Sequence, residues 1–101
     1  MAVIPVTDKV SVTTAGTRVP LLSSTKTLAG TVVGLSVQCN TSGGVIYIGD
    51  STVTSTNGQK LVAGSMFVFP LYAANGIDPR QIYIDAGTSG DSLSILYFLK
   101  I

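Results

Sequence analysis

A chain of 101 residues with one cysteine, no histidine and a net charge of +1 has room for a single core and carries little reactive chemistry. Hydrophobic residues make up 46% and charged residues 11%, so apolar surface is plentiful while the charges that hold monomers apart are few. The scattered Lys and Arg offer no basic stripe for nucleic acid, no apolar run approaches the ~20 residues of a membrane helix, and the missing histidine removes the usual base of Ser and Cys nucleophiles.

Met1 to Asp8 reads as an extended arm, because Val3, Ile4 and Val6 are apolar but Pro5 removes a backbone donor. The segment lacks the basic start and long hydrophobic stretch of a signal peptide, so synthesis and assembly in the cytosol are expected. A sandwich domain then spans 9–101. Lys9 to Thr14 alternates, with Val10 and Val12 on one side, and Ala15-Gly16 marks a turn. Arg18 to Leu22 contains Pro20 and suits an edge.

Thr31 to Cys39 is the clearest strand: Val33, Leu35, Val37 and Cys39 share one face and Ser36 and Gln38 the other. Gly34 inside it marks a bulge or a close backbone approach. The turn-rich Asn40-Thr41-Ser42-Gly43-Gly44 predicts an antiparallel hairpin with Val45 to Ile48. Ser51 to Lys60 is polar, and its Asn57-Gly58 suits a tight turn that uses positive φ.

Gly64 to Leu71 is the most apolar strand, with Phe67, Phe69 and Leu71 on one face and Met66, Val68 and Pro70 on the other, so both faces are expected to be covered. Tyr72 to Arg80 carries the turn formers Asn75-Gly76 and Asp78-Pro79. Gln81 to Ala86 is a further strand, and its Ile82-Tyr83-Ile84 repeats Ile46-Tyr47-Ile48, as if the two held equivalent places in two sheets. The last strand sets Leu93, Ile95, Tyr97 and Leu99 on one side and Ser92, Ser94, Leu96, Phe98 and Lys100 on the other. That second side turns from polar to apolar midway, so Leu96 and Phe98 meet either a partner or the arm of the same chain. Seven or eight short strands without helical periodicity predict an all-β fold, a small antiparallel β-sandwich of jelly-roll type with an extended N-terminal arm.

Catalysis finds no candidates. All carboxylates are aspartates (Asp8, Asp50, Asp78, Asp85 and Asp91), and no two lie within five positions of each other, which suits neither a calcium loop nor a glycosidase pair. Asp50, Asp78 and Asp91 sit where short side chains accept backbone hydrogen bonds in turns. Cys39, on the apolar face of its strand, reads as a packed thiol. No metal, cofactor or catalytic residue is expected. A carbohydrate-binding module is the different reading, with Tyr47, Tyr72, Tyr83 or Tyr97 as stacking surface, although the chain lacks Trp and Tyr97 falls on the core face.

From Lys9 to Tyr97 the order of elements resembles that of small β-sandwich structural proteins of tailed-phage virions. The matching features are Val33 to Cys39, the turn Asn40 to Gly44, Ile46 to Gly49, the polar Ser51 to Gln59, Leu61 with Gly64, and Ile82 to Asp85 before Gly90-Asp91. The resemblance implies a non-enzymatic virion protein, either a capsid decoration (cement) protein or a tail, collar or head-fibre component. A single sandwich with an apolar arm favours decoration. The resemblance further implies a homotrimer on the outer capsid surface, bound to the major capsid protein, with no direct contact to nucleic acid or membrane. Val3, Ile4 and Val6 of the arm and Leu96 and Phe98 of the last strand are the candidate oligomer or capsid contacts.

Overall fold

The computed structural model describes residues 2–23, 25, 27–40, 44–69, 76 and 78–100. Among these, eight strands follow in chain order: β1 Val3–Ser11, β2 Val19–Pro20, β3 Thr31–Cys39, β4 Val45–Gly49, β5 Gln59–Val62, β6 Met66–Val68, β7 Tyr83–Ala86 and β8 Ser92–Lys100. They form two antiparallel sheets of four, in the orders β1-β8-β3-β6 and β2-β7-β4-β5. Val32, Leu35, Val37, Leu93, Ile95 and Tyr97 from the first sheet close on Ile46, Ile48, Leu61, Ile84 and Ala86 from the second, and these buried side chains make one core.

The hairpin expected between Thr31–Cys39 and Val45–Ile48 does not form, because β3 and β4 lie in different sheets. Each strand has one apolar face, and sending β4 to the opposite layer lets Ile46 and Ile48 bury against the face of β3 instead of lying beside it. Of the turn residues between them, 41–43 lie outside the described residues. All connections except β4–β5 cross from one sheet to the other. The two Ile-Tyr-Ile segments are accordingly neighbours in one sheet, with Ile48 opposite Ile84, and not counterparts in two.

Three strands depart from their expected form for identifiable reasons. Residues 3–8 are not a separate arm: β1 runs from Val3 to Ser11, and every residue from Val3 on is in register with β8, Val3 against Lys100 and Ser11 against Ser92. Pro5 fits because β1 is an edge strand. The Val12 N–H donates to the Asp91 carbonyl (2.9 Å) and the Val12 carbonyl accepts from Gly90 (2.7 Å), so even-numbered residues point their backbone at β8 and Pro5 belongs to the outward set. In β3 the register slips between Val32 and Gly34, so that Val32, rather than Val33, takes the buried position. The ring of Phe98 leans on the gap that Gly34 leaves, and a Cβ there would lie 3.2 Å from Phe98 Cδ1.

β6 is only three residues long and is covered on one face alone. Phe67 and Phe69 pack edge-to-face against the core at 4.8 Å between ring centres, whereas Met66 and Val68 face solvent. Pro70 and Leu71 lie outside the described residues. Gly58 also serves otherwise than expected. Its φ is not positive; it is small because a Cβ would come within 2.7 Å of Val53 Cγ2 and 2.8 Å of Tyr47 Cβ. Asn57 supports that turn by accepting the Thr54 N–H at 2.6 Å.

Candidate interaction surface

The outer face of the first sheet is built by cross-strand rows that the register fixes. Pro5, Phe98 and Gly34 form one row; Thr7, Leu96, Ser36 and Val68 the next; Lys9, Ser94, Gln38 and Met66 the third. Val3 extends it beside Lys100. Between Lys9 at one end and Lys100 at the other these rows contain no charged side chain. Met66 and Val68 are each 65% exposed, Val3 56% and Phe98 36%, so large apolar side chains on three strands stand in water together.

The face has relief. β8 contributes a ridge, Leu96 and Phe98, while β3 beside it contributes small side chains, Gly34 and Ser36, and β6 raises a second wall with Met66 and Val68. Between the walls lies an apolar hollow of about 250 Å³. A second hollow of about 290 Å³ opens beside Leu96, towards Gln38, Met66 and Ser94, with Thr7 and the charged Asp8 on its β1 side. Ser94 hydrogen-bonds Asn40 Oδ1 at 3.0 Å, so the polar end of the face is internally tied.

The free edge of β1 is less inviting than the face. Of the outward-pointing residues Val3, Pro5, Thr7 and Lys9, Pro5 has no N–H and that of Lys9 is taken by Asp8 Oδ1 at 2.8 Å. Such blocking discourages a further strand from adding there.

The expected contact residues divide between two faces. Val3, Leu96 and Phe98 lie together on the outer face, whereas Ile4 and Val6 pair with Leu99 and Tyr97 and belong to the inner side of β1, where Val6 packs on the core. Met66 and Val68 join the outer group and were not among the expected residues. The alternation Met66-Phe67-Val68-Phe69 does contain them, but with both faces apolar it does not say which one is left open.

The outer face of the second sheet differs, because a loop folds over it. Asp85, buried on β7, accepts the Gly16 N–H at 2.9 Å and the Ala86 N–H at 2.8 Å, and Ser89 Oγ accepts the Ala15 N–H at 3.0 Å. Asp91, also buried, receives the Val45 N–H at 3.3 Å and so ties the start of β4 to the start of β8, a longer-range role than the local turn expected for it. Asp50 accepts both the N–H and the hydroxyl of Thr52 (2.9 and 2.6 Å), and this hydroxyl above all holds its carboxyl below the ordinary range. Asp78 caps the 3₁₀ turn Pro79–Gln81 through the Arg80 N–H at 3.0 Å. It also binds the Arg80 guanidinium at 2.9 and 3.2 Å, which lowers the Asp78 pKa and raises that of Arg80.

Among the described residues no three of Cys and Asp gather where they could hold a metal ion. Of the tyrosines weighed for sugar stacking, Tyr97 is buried in the core, Tyr47 and Tyr83 are half-buried on the second sheet, and Tyr72 lies outside the described residues. Comparison with protein-family models, with curated protein sequences and with solved structures finds no match to this chain.

Proposed function

We propose that the protein is a non-enzymatic building block of a tailed-phage virion, a capsid decoration protein that self-associates and bridges subunits of the major capsid protein on the outer shell. The observation that carries this reading is the apolar patch on the outer face of the first sheet, where Val3, Leu96, Phe98, Met66 and Val68 stand together between Lys9 and Lys100, a patch of the kind that marks protein contact. The order of elements along the sequence supports the phage assignment by resemblance. Strand order adds to it: β1-β8-β3-β6 over β2-β7-β4-β5, with nearly every connection crossing between layers, favours a jelly roll, an architecture shared by many capsid domains.

In this reading the work is done by binding alone. Several modest apolar contacts, repeated around an assembly, become tight through effective concentration, and shell subunits held by one bridge resist separation. A threefold ring, as the resemblance suggests, needs two different complementary patches on each copy, whereas a twofold pair needs one. Co-sedimentation with emptied phage shells tests the assignment: the chain should pellet with the shells and a Phe98→Asp variant should stay in the supernatant. A chain that never pellets with shells but binds a sugar on a glycan array would replace this function with the carbohydrate-binding one.

A further inference from the structure

We infer that the outer face of the first sheet is the seat of a second copy of this chain, packed sheet on sheet about a twofold axis that runs parallel to the strands between β8 and β3. This rests on the building-block reading only in taking the face to be an interface between proteins. The number of copies, two, comes from the shape of the face itself.

The relief of this face is complementary to itself. Such an axis lays β8 of each copy over β3 of the other, and β1 over β6. At the level of the first row the Phe98 rings, each leaning over its own chain's Gly34, meet one another; at the next, Leu96 meets Ser36 of the second copy and Thr7 its Val68; at the third, Ser94 meets its Gln38 and the methylenes of Lys9 cover its Met66. At the middle level large lies on small, Leu96 over Ser36, as interdigitating layers require, and the hollow of about 250 Å³ between Ser36 and the Met66 and Val68 wall receives the ridge. An axis across the strands would instead set β8 on β8, ridge on ridge. Aligned sheets tolerate a rotation of about 30° between them, which the twist of each sheet supplies.

The area suffices. With strands about 4.8 Å apart and a rise of about 3.3 Å per residue, three nine-residue strands and a short fourth present roughly 500 Å² per copy, or about 1,000 Å² for the pair. That is the lower limit for a specific interface, the size of a weak pair that forms as concentration rises. Lys9 and Lys100 stand towards the two ends of the face and Asp8 borders the second hollow, so no charge lies over the central Leu96 and Ser36. The Lys100 side chains of the two copies come near each other at one end, and association should therefore tighten as salt screens them.

Light-scattering mass across about 1 µM to about 1 mM protein, with Ser36→Arg and Met66→Glu beside the full-length wild type, tests this. The wild type should reach twice the 10.4 kDa chain mass. Ser36→Arg fills the hollow and should weaken pairing about 100-fold, and Met66→Glu, nearer the rim, about 10-fold. Circular dichroism should be the same for all three. If Ser36→Arg fails to fold, the already exposed Met66→Glu decides. A wild type that stays single throughout, a threefold mass, or folded variants that pair as tightly as wild type overturn the proposal. Pairing without shell binding would uphold it and remove the virion assignment; shell binding by a solitary chain would do the reverse.

Discussion

Deleting residues 2–6 separates a strand from an arm. If these residues were an arm, the sandwich would not notice their loss; in the structure they include four of the nine registered positions between β1 and β8, from Val3 opposite Lys100 to Val6 opposite Tyr97. Val6 is half-buried on the core and Ile4 is 41% exposed, so burial of the two contributes about 1 kcal/mol each. Lost backbone pairing adds about 1 kcal/mol per hydrogen bond, and release of ordered chain returns about 1–2 kcal/mol per residue, which cancels much of the sum. A net loss of about 1–3 kcal/mol remains. For a domain of this size each kcal/mol moves the Tm by about 4–8 °C, so calorimetry should show a fall of about 4–24 °C. The stretch of β8 from Tyr97 to Lys100 would also lose its neighbour and present an open edge, so faster aggregation on heating should accompany the lower Tm. A truncated chain that melts within about 2 °C of the full one would refute the strand assignment of β1 and restore the arm.

Other perturbations probe the features that hold the sandwich in shape. Gly58→Ala should cost about 1–3 kcal/mol in urea unfolding, since its Cβ meets Val53 and Tyr47 at under 3 Å, whereas Gly34→Ala should be neutral or stabilising by up to about 1 kcal/mol because only the exposed Phe98 ring must swing aside. Equal effects at the two sites would contradict the packing described for both. Asp85→Ala leaves the Gly16 and Ala86 amides without their acceptor and should destabilise by about 1–3 kcal/mol, with faster hydrogen exchange at Gly16 as the local readout. Asp78 is held below its ordinary pKa by Arg80, so the stability it contributes is full above the unfolded value of about 3.9 and disappears as pH falls through the lower folded value. The difference in urea midpoint between wild type and Asp78→Asn should therefore be small near pH 7, as befits an exposed pair, and shrink further below about pH 4.

How much of this was legible in the residues depends on whether the signal was local. Leu93, Ile95, Tyr97 and Leu99 alternate as a strand with one dry face should, and all four are buried. Pro20 marked an edge, and β2 is one. Pairing was not legible, because Asn40 to Gly44 has the composition of a hairpin turn whether the chain returns to the same sheet or crosses to the other. The bulge at Val33 exchanged the buried position with Val32, and the glycine that signals a bulge does not say which neighbour is displaced. For the surface, Leu96 and Phe98 gave themselves away by breaking a polar face, while Met66 and Val68 stayed hidden in a strand apolar on both sides.

The pairing of β1 with β8 also sets a timetable. β3 can pair with β6 early, but Val3 finds its neighbour only in Lys100, so β1 and β3 are joined into one sheet only once residues 92–100 have been made. β1 therefore stays unmatched while the strands between are made, and the step that closes the sheet brings together residues as far apart in the chain as Val3 and Lys100, a pairing of the slow, non-local kind. During that interval the oily segments depend on whatever holds unfinished chains apart in the cell.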